Sequence, residues 1–145
     1  TALAEGIGEI LTPLPPMPKC PVLIAKPPVA VSTKFVYENL KLTDATKHPD
    51  IDAVADAIKN KDLKAVAANM GNILETVTIP HNPVIAEIKK VMKANGALNA
   101  MMSGSGPTVF GLFQSEKDIR KAYDALKQSD LVKNLYTSDI HNNRR

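Results

Sequence analysis

The order of elements along this chain predicts an α+β domain whose core runs β-α-β-β-α-β. Three observations carry that expectation. Short apolar runs bounded by turn residues stand at 22–26, 97–102, 108–113 and 135–140 and read as strands. Two stretches with apolar residues at helical spacing, 83–95 and 116–128, fall between them. The middle two strands are joined directly by Ser103-Gly104-Ser105-Gly106-Pro107, so they form a hairpin. That order is the ferredoxin-like split unit, in which two amphipathic helices cover one face of an antiparallel sheet. Helical patterns at 32–40 and 50–75 interrupt it. They are expected to add two or three helices to the same layer.

Taken in order, residues 1–11 mix Gly6 and Gly8 with Leu3, Ile7, Ile10 and Leu11 and read as one or two short strands around a glycine kink. They have no obvious sheet partner, so residues 1–18 are expected to be disordered or to pair with another copy through their edges. The proline-rich stretch from Pro13 to Pro21 reads as a stiff connector, and a domain boundary is placed there, dividing 1–18 from 19–145. Val22 to Lys26 is a buried strand stopped by Pro27-Pro28. Ser32 or Thr33 caps a helix through Leu40. Asp50 opens the next helix, with Ile51, Val54, Ala55 and Ile58 on one face, and Asp62 opens another after Asn60-Lys61. Leu63, Val66, Ala67, Met70, Ile73 and Leu74 continue the period past Gly71, and Met70 reads as core. Asn69, Asn72 and Glu75 line a site or face water. Asn82-Pro83 reads as a helix start, with Ile85, Ile88, Val91 and Met92 as its buried face and Asn95-Gly96 as its end. Ser115 with Asp118 caps the last helix, whose inner face is Ile119, Ala122, Tyr123 and Leu126.

The chemistry legible without tertiary information is limited. The glycine-rich loop lets the backbone enter positive φ and lets a ligand approach its N–H groups, which can then hold an anion. Ser103, Ser105 and Thr108 add hydroxyl donors. An ordinary hairpin turn uses the same residue types, so spacing alone favours the plainer reading. The loop leads into a strand, so the helix-dipole argument for phosphate binding does not apply. Tyr37 either packs against the body or borders a cleft against a flat ring. His48, His81 and His141 lack a second ligand at metal spacing and read as surface residues. A single cysteine, Cys20, rules out an internal disulfide and a cysteine-based zinc site. Eighteen basic against fifteen acidic residues leave a charge of +3, scattered and too mild for a nucleic-acid interface, with only three Tyr and three Phe to stack on bases. Arg144-Arg145 reads as a solvated tail. No apolar run approaches a membrane span, and a cytoplasmic location is expected.

The stretch Ser103-Gly-Ser-Gly-Pro-Thr-Val-Phe-Gly-Leu-Phe113 resembles the C-terminal motif of the GHMP kinases. Ala4-Glu-Gly-Ile-Gly-Glu-Ile-Leu-Thr-Pro-Leu14, Lys26-Pro-Pro-Val-Ala-Val-Ser-Thr33 with Tyr37, and Asn72-Ile-Leu-Glu75 are similar to the branch acting on a cytidine diphosphate-linked methylerythritol in the non-mevalonate isoprenoid pathway. The resemblance runs over nearly the whole chain and implies ATP-dependent phosphorylation of a hydroxyl of that small molecule. It implies substrate-binding roles for Thr33, Tyr37, Gly104, Ser105 and Gly106, with Tyr37 at the position of an aromatic that stacks on cytosine, and it offers a structural role for Asn72 and Glu75 beside the site-lining and solvated ones. The family's N-terminal Lys, ATP-cradling glycine loop and catalytic Asp do not occur in these residues. The chain is therefore expected to be the substrate-side half of a longer enzyme, with no catalytic residue or metal ligand of its own and inactive alone. ATP and magnesium would be bound mainly by the N-terminal domain, its partner in the full-length enzyme. Homoserine or mevalonate-type kinases of the same family, and a non-catalytic ferredoxin-like binding or assembly module, are the alternatives.

Overall fold

The computed structural model describes residues 1–43 and 46–142; Arg144-Arg145 lie outside them. Four antiparallel strands form the central sheet: β3 (Pro21–Lys26), β4 (Ala97–Met102), β5 (Val109–Phe113) and β6 (Asn134–Asp139), in the spatial order β4-β5-β3-β6. Two helices, α5 (Val84–Ala94) and α6 (Glu116–Lys127), make the crossovers. This is the expected split unit, with strand bounds within a residue or two of those read from sequence.

Side chains alternate along a strand, and here the alternation divides the interior in two. Leu23, Ala25, Val109 and Phe113 point to one face and pack with Ile85, Ile88 and Met92 of α5 and Ile119, Ala122 and Leu126 of α6. Val22 and Leu112, with the half-buried Ile24 and Phe110, point to the other. Two helices cover that second face: α2 (Ile51–Lys59) and α3 (Leu63–Asn69), through Ala57, Ile58, Val66 and Ala67. The expectation that every inserted helix extends one layer is thus corrected for these two. A sheet apolar on both sides must be covered on both. Met70 packs against the second core, as its spacing suggested.

The helical reading through residue 75 is also corrected. Helix α3 stops at Asn69; Met70 turns extended (φ −68°, ψ 139°), and Gly71 passes over Pro49. A separate short helix, α4 (Glu75–His81), follows, although it contains Pro80 and four β-branched residues. Asn82 closes α4 and sends its side-chain amide back to the Thr78 carbonyl (3.3 Å), so it does not cap α5 as expected. Helix α1 (Thr33–Asn39) is capped by Ser32, whose Oγ accepts from the Phe35 N–H, and seats Val36 in the first core with Leu74, at the entry to α4, and Val77 of α4.

Residues 1–18 were expected to lack a partner within the chain. Instead β1 (Ala2–Glu5) and β2 (Ile10–Pro13) pair with each other, antiparallel, as a sheet separate from the central one. The two glycines between them allow the reversal. Leu14 and Met17 then pack on the second core, and the Asn142 amide donates to the Met17 carbonyl at 2.8 Å.

Cys20 sits in that second core, 3% exposed. Burial, and then the negative charge of Asp139, push its thiol above the ordinary 9.0. Well below pH 9 the thiol is protonated in folded and unfolded chains alike. At higher pH the unfolded chain releases its proton first, so stability falls as pH rises toward the folded value. Urea unfolding at about pH 8 and about pH 10 is expected to show a larger alkaline loss in the native chain than in Cys20→Ala. Equal losses would mean that the thiol contributes nothing.

Candidate functional site

The β4–β5 register closes with Met102 opposite Val109, and the loop between them is tightly ordered. The Ser103 N–H donates to the Thr108 carbonyl at 2.8 Å, and the Gly106 N–H donates to the Ser103 carbonyl at 3.0 Å. Gly104 and Gly106 both adopt positive φ, 56° and 92°, and the Gly106–Pro107 peptide is cis. The two glycines serve different needs. A Cβ on Gly104 would meet open space, so only the backbone conformation calls for glycine there. A Cβ on Gly106 would lie 2.6 Å from the Met102 sulfur and 3.3 Å from the Thr78 methyl, so sterics call for it as well.

Three residues around α4 hold this loop. The Asn72 side-chain amide donates to the carbonyls of Met102 and Gly104, each at 2.8 Å, while its Oδ1 accepts from the Leu74 N–H at 3.0 Å. Exchanging its oxygen and nitrogen would set oxygen against two carbonyls, so the contacts fix the amide's orientation. Glu75 accepts from the Met102 N–H at 2.7 Å and pairs with Lys89 of α5 through its other oxygen. Thr78, fully buried, donates to the Ser105 carbonyl at 3.1 Å.

The loop also meets α1. Thr33 Oγ1 and Ser105 Oγ lie 2.8 Å apart, so the structure brings together Thr33, Gly104, Ser105 and Gly106, residues up to 73 positions apart in the chain. Tyr37 stands one helical turn beyond Thr33, 60% exposed with its ring toward solvent. Phe35 packs edge-on against the His81 ring with centroids 5.0 Å apart. His48, His81 and His141 are all exposed. Asn72 and Glu75, read from sequence as site-lining, solvated or, through the family pattern, structural, take the structural role: they grip loop backbone. Thr78 and Lys89 were not anticipated. The one available signal was Asn72-x-x-Glu75, since an Asn three before a Glu suits a capped turn.

Chemically, the arrangement offers a small set of backbone and hydroxyl donors at the loop. The Gly106 N–H is used within the loop, whereas the N–H groups of Gly104 and Ser105 have no acceptor among the described residues. Free neighbouring amides beside two hydroxyls suit an anionic oxygen. No group of three or more His, Cys, Asp or Glu able to hold a metal occurs among the described residues. The loop amides are donors of the kind that meet a phosphate oxygen.

The chain matches the family model described as GHMP kinases C terminal over residues 54–132. With more than half its length covered, it belongs to that family. It is 59% identical over 139 residues to 4-diphosphocytidyl-2-C-methyl-D-erythritol kinase of Lachnospira eligens, covering 96% of this chain and 48% of that protein. Against the same-named kinase of Geobacillus kaustophilus the identity is 49% over 127 residues, covering 88% and 43%. Among solved structures, 4-(cytidine 5'-diphospho)-2C-methyl-D-erythritol kinase superposes with a TM-score of 0.77 at 27% identity, covering 98% of this chain and 50% of that one. Homoserine kinase from Cytophaga hutchinsonii superposes at 0.74 with 23% identity (95% and 46% covered), a likeness of fold alone. The chain spans about half the length of the curated relatives it matches. No helix among the described residues is long and apolar enough to cross a membrane.

The two glycines predict different costs. Gly104→Ala is expected to lose about 1–2 kcal/mol for the left-handed backbone. Gly106→Ala adds overpacking of about 1–3 kcal/mol against Met102. Urea midpoints at constant m-value measure both; equal losses would contradict the packing around Gly106.

Proposed function

We propose that this chain is the substrate-side half of an ATP-dependent kinase that phosphorylates a hydroxyl of 4-diphosphocytidyl-2-C-methyl-D-erythritol. The observation that carries the reading is the 59% identity, over nearly the whole chain, to a kinase of that name. In the same reading residues 1–18 belong with the N-terminal domain, the chain's partner, and 19–145 form the C-terminal domain. ATP and magnesium are bound mainly by that other half. The homoserine and mevalonate alternatives, and a non-catalytic module, lack comparable support in sequence.

Phosphoryl transfer depends on positioning and charge stabilisation more than on covalent help. In this proposal the Gly104-Ser105-Gly106 loop supplies both. Its free amides meet the charge on a phosphate oxygen, and the Thr33–Ser105 hydroxyl pair shares one hydrogen internally and leaves one to donate. Tyr37 lies against the cytosine ring, where its exposed face can stack. Residues outside this chain take the proton from the acceptor hydroxyl.

The test joins this chain to the N-terminal half of the Lachnospira eligens relative. ATP-dependent phosphorylation of the cytidine-linked substrate is expected, with none of homoserine or mevalonate, and the 145-residue chain alone is expected to be inactive. Removing a stacking ring costs about 1–3 kcal/mol per base. Tyr37→Ala is therefore expected to raise KM for the substrate by about five- to 150-fold with little change in kcat. Equal turnover of homoserine, or an unchanged KM in Tyr37→Ala, would overturn the assignment.

A further inference from the structure

The free amides of the loop are aimed outward, and the aim can be traced to one side chain. A trans peptide is planar, so the C=O of one residue and the N–H of the next point in opposite directions. The Gly104 carbonyl is held toward Asn72 at 2.8 Å. The N–H of Ser105 must therefore point away from Asn72, out of the fold. The Ser103 carbonyl accepts from the Gly106 N–H, which turns the Gly104 N–H away from that bond. Asn72 also holds the Met102 carbonyl, at the foot of the loop, with the same nitrogen. Ser105 is fixed on its remaining sides by Thr78 at its carbonyl and Thr33 at its hydroxyl, leaving its N–H as the free donor.

We infer that Asn72 is a positioning residue that holds the 104–105 peptide with its N–H outward, making the loop a preset donor for a phosphate or diphosphate oxygen. Asn suits the task because it has two hydrogens for two carbonyls and an oxygen left for the Leu74 N–H, which starts α4. Glu and Asp cannot donate to those carbonyls when ionised, and Ser is too short to reach both. Without Asn72 the 104–105 peptide is free to rotate, because Gly104 has open space around its Cβ position and glycine's conformational range. A preset donor loses nothing to reorganisation when the anion arrives, which is why orientation affects affinity. The inference rests on the kinase reading only for the identity of the anion.

The probe is inorganic pyrophosphate, titrated into the 145-residue chain while amide shifts are followed by NMR. The native chain is expected to shift most at Gly104 and Ser105. Two variants test the aim: Asn72→Ser, which retains a turn-forming hydroxyl for the start of α4, and Asn72→Asp, which is isosteric but loses both donated bonds. Each is expected to bind pyrophosphate at least tenfold more weakly, with the Ser105 amide displaced in the free spectrum and the central sheet unchanged. Val66→Ala, in the core on the opposite sheet face, controls for lost stability and is expected to keep native affinity. Native chain that leaves Gly104 and Ser105 unshifted in millimolar pyrophosphate would overturn the inference. So would Asn72 variants that bind within twofold of native. Repeating the titration with cytidine diphosphate separates the two readings: equal affinity for both probes would remove the cytidine-linked substrate and leave the role of Asn72 standing.

Discussion

A strand hairpin ending in Ser-Gly-Ser-Gly would by itself be loose, because glycine loses more conformational freedom on ordering than any other residue. What orders it here is a set of hydrogen bonds from one short helix and its entry turn. Asn72, Glu75 and Thr78 engage loop backbone from Met102 to Ser105. The placement of α4 depends in turn on the first core, where Leu74 and Val77 pack beside Val36. The loop, the helix bearing Thr33 and Tyr37, and the core beneath them therefore form one mechanical unit. Glu75 and Lys89, each about a fifth exposed, extend it to α5.

The two-sided sheet accounts for the rest of the architecture. Ferredoxin-like units with one polar sheet face need only their two crossover helices. In this chain Val22, Ile24, Phe110 and Leu112 make the second face apolar, and α2 and α3 exist to cover it. That second layer leaves the first free to carry α1 and α4 at the end of the sheet where the β4–β5 hairpin turns. Scaffold and site are in this way assigned to different insertions between β3 and α5. Asn99 links the layers, its amide donating to the Ala67 carbonyl at the end of α3 at 2.7 Å.

Much of this was legible residue by residue. Strands declare themselves by apolar runs between turn residues, and Leu23, Met102, Val109 and Phe113 all proved fully buried. Helices with strong caps were also plain: Ser32, Asp50, Asp62 and Ser115 each accept the expected backbone N–H. Helix α4 was hidden because Pro80 and the run Thr76-Val77-Thr78-Ile79 argue against a helix locally, and tertiary packing overrides so weak a preference. Asn82 misled for a related reason. An Asn before a Pro looks like a helix start, but a preceding helix offered its carbonyl first.

The amino-acid order by itself determined the split β-α-β-β-α-β unit, the position of the glycine loop and the family to which the chain belongs. Those are carried by local periodicity, turn chemistry and a contiguous motif, all of which act over a few residues. Only the tertiary structure decided that Thr33 meets Ser105, that Asn72 holds two carbonyls thirty residues away, and that α2 and α3 cover the far face of the sheet. Each of those is a pairing of groups distant in the chain. The order of residues leaves many such pairings open, and they are settled only when packing brings the partners within hydrogen-bond reach.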